Sequence, residues 1–299
     1  MTVKIWKRDW PLHLMILPGF LFVLIYSYGP MAGLIIAFKK FLPSKGIFGS
    51  PWIGLDNFRF LLSLPDTFQI VYNTIIIALL KIAAGLIVPI VVALLLNEVR
   101  KTAFKRTVQT LVYLPHFLSW IILGGILIDI LSPSQGIVNT FIGWLGVKPI
   151  FFLGSNDWFR FTLVVSDVWK EFGFSTIVYL AALTSINPVL YEAAEIDGAN
   201  RWKQTLHITL PGMLPIIVLL ATLSLGNILN AGFEQVFNLY NTAVYETGDI
   251  IDTYVFRIGI QKAQYGLATA IGLFKSVISL VFISLSYFLA YRFANYRIF

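Results

Sequence analysis

Five charged residues, Lys81, Asp167, Lys170, Glu171 and Lys275, stand inside long apolar stretches, and Asp129 stands near the end of another. A charge at the centre of a hydrocarbon layer costs about 2.5–3.5 kcal/mol, so such groups face a cavity or a partner. Lys81 is placed too deep to snorkel well, which sharpens the question of what it meets. Asn227 and Asn230 are three residues apart, which on a helix puts both amides on one face. The chemistry open to these residues is binding, not bond-making. With no cysteine in the chain there is no thiolate nucleophile, thiolate metal site or disulfide. His13, His116 and His207 are far apart, as interface or core residues are, so no metal site and no catalytic residue is expected. The sequence lacks G-x-x-x-x-G-K-[ST], H-E-x-x-H and G-x-S-x-G, so nothing in it cradles ATP phosphates or activates a serine.

Composition says what must hold these residues. Only 12% of the 299 residues are charged and 58% are hydrophobic, with a mean hydropathy of +0.79. A soluble domain carries roughly 25% charged residues, so the bilayer is the main solvent of this chain. Six helical spans are predicted: 14–38, 68–96, 107–131, 161–186, 211–231 and 268–290. Each exceeds the roughly 20 residues that cross the hydrocarbon, and the short alternating segments of a β-barrel are missing. The first apolar run follows Lys4, Lys7 and Arg8 but is too long for a cleavable signal. The expected architecture is one all-α, polytopic membrane domain over residues 1–299.

Lys and Arg orient it. Segments 1–13, 97–106, 187–210 and 291–299, which include Arg292 and Arg297, hold 11 cations in 56 residues, against 8 in 94 for segments 39–67, 132–160 and 232–267. The cation-rich side is cytoplasmic, which puts both termini and the 187–210 loop inside. The net charge of +7 then reflects orientation, not nucleic acid. On the far side, Trp52, Trp144 and Trp158 suit a membrane-interface belt or a docking surface. Ile251, Tyr254, Val255 and Ile258 predict an amphipathic helix over 250–262, lying on the bilayer or under a partner.

The loop itself, Tyr191–Pro211, is a polar island between two spans. Asn187-Pro188 reads as a helix start, with Asn as cap and Pro in the first turn. Glu192 suits the early turns, and Ala193 and Ala194 leave little bulk. Asp197-Gly198 ends the helix, with Gly free to turn left-handed. Asn200 caps a second short helix. An ordinary connecting loop could share these features.

The ordered residues Glu192, Ala193, Ala194, Asp197, Gly198, Ala199, Trp202 and Ile208 to Pro211 resemble the EAA loop of permease subunits of bacterial ATP-binding-cassette importers. Trp52-Ile53-Gly54-Leu55-Asp56-Asn57-Phe58 resembles the W-x-G-L-x-N-F element of the carbohydrate importers. Tyr113-Leu114-Pro115-His116-Phe117 and Asp252-Thr253-Tyr254-Val255-Phe256-Arg257 resemble the oligosaccharide and polysaccharide branch, which includes LplB-type permeases and an alginate importer. The resemblance implies a MetI-like type I importer fold in the bacterial cytoplasmic membrane. It implies that residues 187–210 form a coupling helix in a cleft of an ATPase subunit, with Glu192 at the contact and Gly198 at the turn. It implies four further partners: a second homologous permease, two ATPases that carry ATP and Mg, and an external solute-binding protein. This chain itself would bind no cofactor.

Within that resemblance, Trp169, Lys170 and Glu171, with Asn227, Asn230 and Phe233, are candidate walls of a sugar pathway, because sugars bind to polar side chains and aromatic faces. Lys81, Lys170 and Lys275 together would favour an acidic oligosaccharide. The same residues could instead pair with one another or with the second permease. Two alternatives stay open: a permease for another small solute, against which the W-x-G-L-x-N-F match argues, and a membrane enzyme acting on lipid-linked sugars. The enzyme would need grouped carboxylates, for which Glu234, Glu246, Asp249 and Asp252 are the candidates.

Overall fold

The computed structural model describes residues 2–294 and is helical, with one isolated antiparallel bridge between Lys39 and Trp52. Of the cations that orient the chain, Arg297 lies outside the described residues. The helices are α1 (Thr2–Val23), α2 (Asp56–Ser63), α3 (Asp66–Glu98), α4 (Thr102–Tyr113), α5 (Trp120–Ile130), α6 (Ile137–Trp144), α7 (Asn156–Thr184), α8 (Pro188–Ile196), α9 (Arg201–Gln204), α10 (Leu210–Gly226), α11 (Phe233–Leu239), α12 (Ile251–Phe256) and α13 (Tyr265–Ala294). Among the described residues, four helical stretches are long and apolar enough to cross a membrane: Trp10–Phe38, Asp66–Glu98, Arg201–Gly226 and Tyr265–Phe288. Two bent pairs bring the total to as many as six, matching the expected number. Helix α7 is 29 residues long and carries Asp157, Arg160, Asp167, Lys170 and Glu171.

The chain divides into two compact units, residues 1–64 with 255–274 and residues 65–254 with 275–299. In the first, the long N-terminal span passes from α-helix through a π turn, Leu24–Tyr28, into a 3-10 helix, Gly29–Phe38. At its end the Trp52–Phe58 motif folds back and pins it. Asn57 Nδ2 donates to the carbonyls of Ala37 and Lys39 at 2.7 and 3.2 Å, satisfying acceptors that the helix end leaves open. The Trp52 ring stacks on Phe38 at 5.8 Å, Phe58 packs on Phe38 at 5.4 Å, and Gly54 takes the left-handed turn at φ 61°. The motif is thus a structural fastening of the first span.

The second unit is built on α3 packed along α7. Its larger core joins Ile77 and Ala78 of α3 to Phe159 and Leu163 of α7, with Leu127, Leu229, Val236 and Leu239 filling in around them. A smaller core at the loop end joins Ala93, Tyr179, Leu183 and Met213. At the opposite end Asn73, fully buried, donates to the carbonyls of Glu246 and Asp249 at 3.0 and 3.1 Å, and Arg160 reaches Asn73 Oδ1 at 2.7 Å.

Two expectations need correction. The third span is not one helix over 107–131. Pro115, which lacks an N–H, sets a 3-10 turn, Leu114–Phe117, and Ser119 caps a new helix by accepting from Ile122 N at 3.4 Å. The resulting α4 to α5 corner bends by 104°. Continuous hydropathy hid this break. Nor does the 250–262 segment lie on the bilayer: Ile251, Tyr254 and Ile258 are buried in the protein. Thr253 accounts for part of this, since its hydroxyl donates to Asp249 Oδ1 at 2.8 Å and accepts from Ile250 N at 2.9 Å, capping α12 within the fold.

The α4 to α5 corner approaches α7 closely because residue 173 is glycine. A methyl there would stand 2.0 Å from the Val112 carbonyl oxygen. Gly173→Ala is therefore expected to cost on the order of 1–3 kcal/mol or more through overpacking and to lower the thermal midpoint of the purified protein by several degrees. Gly125→Ala, which meets nothing within 4 Å, is the matched control. Equal midpoints for the two variants would show that the corner does not depend on this approach.

Candidate functional site

The intramembrane lysines do not gather in one place. They form separate ion pairs with local carboxylates, and two of the three pairs also serve a broken helix. The first break follows α10, which stops at Gly226. Asn227 takes the C-cap position, and the chain turns through Asn230 to Gly232, at φ 90°, before α11 begins. Asn227 and Asn230 therefore do not share a helix face, contrary to the spacing argument. The break leaves carbonyls without helical partners, and within a bilayer each such group needs another donor. Lys81 is that donor. From α3 its Nζ donates to the Ala231 carbonyl at 2.7 Å and to Gln235 Oε1, and it lies 3.2 Å from Asp167 Oδ1 on α7. Gln235 is fully buried and satisfied: its amide donates to the Leu163 carbonyl at 2.7 Å and to Ser166 Oγ at 2.8 Å.

Beside this cluster opens a polar cavity of about 320 Å³. Helix α3 contributes Ala78, Lys81 and Gly85, α7 contributes Asp167 and Ser175, the end of α10 contributes Ser224, and the break contributes Asn227 and Asn230. Asn227 and Asn230 are exposed, so their amides are presented and not packed away. The cavity thus offers amide donors and acceptors, hydroxyls and one carboxylate, a set suited to a hydroxyl-rich solute. Its volume is near the small end of ligand pockets. Sequence does not point to Ser175, Ser224 and Gly232, but it does point to Asp167, a carboxylate in an apolar helix on the same face as Lys170.

The second break is the α4 to α5 corner. Lys170 Nζ donates to the His116 carbonyl at 2.8 Å and lies 3.0 Å from Glu171 Oε1, while His116 Nδ1 is 2.7 Å from Glu171 Oε2. The His116 ring stacks on Phe174 at 4.1 Å, and Lys170 also faces the Trp120 ring. Lys170 and Glu171 therefore clamp the corner. The third pair, Lys275 with Asp252, fastens α13 to α12 within the second unit. The three lysines each have a local carboxylate and do not make a joint positive field. Trp169 lies two positions from Asp167, roughly 200° around the helix, and lines an apolar hollow with Leu131, Phe161 and Val165. Phe233 stacks on Phe237 at 5.3 Å and does not line the polar cavity. Among the candidate enzyme carboxylates, Asp252 is held by Lys275, Asp249 is buried against Thr253, and Glu246 accepts from Asn156 at 3.2 Å.

The 187–210 loop forms the short rigid unit that its caps imply. Asn187 Oδ1 accepts from Val189 N at 3.1 Å and opens α8. At its end Ala199 N donates to the Ala194 carbonyl at 2.8 Å and Gly198 N to the Glu195 carbonyl at 3.1 Å. With Gly198 at φ 74°, this is the paired Schellman closure of a helix. Asn200 Oδ1 then accepts from Lys203 N at 2.9 Å. The unit is tied to the start of α10 through Tyr191, whose hydroxyl lies 3.0 Å from Thr209 Oγ1, and is braced internally by buried Gln204, which donates to the Ala199 carbonyl at 3.3 Å. Glu192, Ala193, Asp197 and Gly198 are exposed, and Ala194 and Ala199 are half-buried. Beside them Val189, Leu190 and Ile196 present apolar surface, Ile196 at 87% exposure. The helix α8 sits at 69° to α7.

The Lys81–Asp167 pair at the polar cavity, with Lys81 buried and Asp167 partly open, can be tested directly. Removing one member leaves the other charged without its counter-ion. Lys81→Met and Asp167→Asn should each lower the thermal midpoint, and the Lys81→Met/Asp167→Asn double variant should lose less than the two single losses combined. A non-additivity on the order of 0.5–3 kcal/mol is expected for groups in contact. Strictly additive losses would mean that the two side chains do not support each other.

Residues 82–295 match the family described as binding-protein-dependent transport system inner membrane component. The chain is 43% identical over 284 residues, covering 95% of this chain and 88% of the relative, to the polygalacturonan/rhamnogalacturonan transport system permease protein YteP of Bacillus subtilis (strain 168). Its fold is similar, with a TM-score of 0.90 and 43% identity over 98% of this chain and 99% of the other, to a chain in the crystal structure of a bacterial ABC transporter involved in the import of the acidic polysaccharide alginate. A further match, with a TM-score of 0.89 and 42% identity over 97% of this chain and 96% of the other, is to the bacterial alginate ABC transporter in complex with an alginate pentasaccharide-bound periplasmic protein.

Proposed function

The chain belongs to the binding-protein-dependent transport system inner membrane component family, and on that premise we propose that it is one permease subunit of an ATP-driven importer of acidic oligosaccharides. The observation that carries this reading is the polar cavity at the α10 to α11 break, walled by Asp167, Ser224, Asn227 and Asn230. A discontinuous helix whose irregular backbone lines a cavity is how transporters place polar backbone and side chains at membrane depth. Ion pairs absorb the three intramembrane lysines, so preference for an acidic cargo draws its support from the polyuronate cargoes of the similar proteins.

In this reading a second, similar permease supplies the facing wall, and the two rock about the cavity between inward-open and outward-open states. A solute-binding protein delivers the oligosaccharide from outside. ATP and Mg are held by two separate ATPase subunits on the cytoplasmic side, which the lysine and arginine bias assigns to the 187–210 loop and both termini. Glu192 and the small residues Ala193, Ala194 and Ala199 enter the ATPase cleft. Asp197 and Gly198 close α8 so that it moves as a lever and not as a slack loop.

Two measurements on the reconstituted importer follow. Proline at position 198 can neither adopt the left-handed conformation nor donate to the Glu195 carbonyl, and Glu192→Lys reverses the contact charge. Gly198→Pro and Glu192→Lys should each lower binding-protein-stimulated ATP turnover at least tenfold while membrane insertion is unchanged. Full stimulation in both variants would remove the lever assignment. For the cargo, stimulation should be several-fold greater with uronate oligomers than with neutral glucans of equal length, and Asn227→Ala should weaken transport without altering the thermal midpoint. Equal stimulation by neutral oligomers would overturn the acidic assignment.

A further inference from the structure

A larger hollow lies at the other end of α3, where the loop re-enters the membrane. It has a volume of about 730 Å³ and its walls are apolar. Ile87, Val91 and Leu95 recur every fourth residue and form one stripe along α3, about 12 Å long at 1.5 Å per residue. Leu206 and the Trp202 ring face them from the loop side. These side chains are open to the surroundings: Ile87 is 61% exposed, Leu95 65% and Trp202 69%.

The loop end of this hollow carries two opposite charges, Glu98 and Arg201. Glu98 is the last residue of α3, where the partial negative charge of the helix end disfavours a carboxylate. A cation at that point would offset the penalty. Arg201 Nη2 lies 3.7 Å from Glu195 Oε1, both side chains well exposed, which is beyond hydrogen-bond length. Its planar fork retains capacity for a phosphate. Trp202 lines the same end of the hollow, an amphipathic ring of the kind enriched at membrane interfaces.

We propose that this hollow binds one membrane phospholipid whose headgroup carries a primary ammonium next to its phosphate, as in phosphatidylethanolamine. An acyl chain lies along Ile87, Val91 and Leu95, the phosphate meets Arg201, and the ammonium meets Glu98. A lipid with an acidic headgroup and no ammonium would leave Glu98 facing negative charge. The occupant joins the end of α3 to the start of the loop's second helix. The inference stands on the apolar walls and the charge pair, and it holds whatever the cargo of the importer and whatever docks on α8.

The test uses the assembled importer in nanodiscs made from equal parts of phosphatidylethanolamine, phosphatidylglycerol and phosphatidylcholine, with retained lipid counted by native mass spectrometry. One tightly held phosphatidylethanolamine per copy of this chain is expected, preferred at least fivefold over phosphatidylglycerol. Val91→Trp should displace it, Arg201→Gln should weaken retention of all three lipids, and Glu98→Gln should erase the headgroup preference while a lipid is still held. Equal retention of the three lipids by the unaltered protein, or a bound lipid indifferent to Val91→Trp, would overturn the proposal. Should Val91→Trp prevent assembly, the absence of native cysteine allows Leu95→Cys to carry a photoreactive label. Cross-linking to phosphatidylethanolamine supports the site, and cross-linking to a second permease or an ATPase overturns it.

Discussion

A backbone carbonyl that loses its helical partner inside a hydrocarbon layer must find another donor, and two corners of this protein turn on that requirement. Both are breaks in a membrane-crossing segment. Lys81 serves the one after α10 by donating to Ala231, and Lys170 serves the one after α4 by donating to His116. An ammonium suits the task, because it brings three donors on a long stem and can reach a neighbouring helix. It also brings a charge, so each lysine recruits a carboxylate, Asp167 or Glu171. Four of the intramembrane charges, Lys81, Asp167, Lys170 and Glu171, are thus tied to the breaks. The break after α10 in turn lets irregular backbone border a polar cavity.

The sequence motifs acquire a physical role in the same terms. The Trp52–Phe58 element closes the open carbonyls of the first span through Asn57. The Tyr113–Phe117 element is the corner clamped by Lys170 and Glu171. The Asp252–Arg257 element supplies a counter-charge for Lys275 and the Thr253 cap of α12. These elements fasten helix ends and corners, and the polar cavity draws on other residues. The 187–210 loop obeys the same rule outside the membrane: Asn187, Gly198 and Asn200 satisfy its helix ends, leaving Glu192 and the neighbouring apolar side chains turned outward on a stiff element. That is the condition for transmitting a force, since a slack loop would absorb it.

Much of this could be read from residue order alone. Hydropathy located the crossing segments, because a span must be apolar over its whole length whatever it packs against. The loop was legible down to its caps, because capping is local: Asn187-Pro188 and Asp197-Gly198 encode their turns within a few residues. The break at Pro115 was equally local, with Ser119 as the next cap, but an unbroken apolar run masked it.

Pairing across helices was decided by tertiary structure. Sequence placed Lys81, Lys170 and Lys275 in the membrane and suggested one basic site for an acidic sugar. The fold distributes them to Asp167, Glu171 and Asp252, partners 86, 1 and 23 positions away along the chain. Trp169 and Asp167 are near neighbours in sequence, yet α7 turns one to an apolar hollow and the other to the polar cavity. Asn227 and Asn230 reach the same cavity by a route that helical spacing does not describe, because α10 ends between Ser224 and Asn227. Sequence by itself determined that the chain lives in a bilayer, where it crosses, and that a short loop with capped helix ends joins two of the crossings, since hydropathy and capping act over short range. Which polar side chains brace the breaks and which line the cavity depends on contacts between helices distant in sequence, and only their packing determines those.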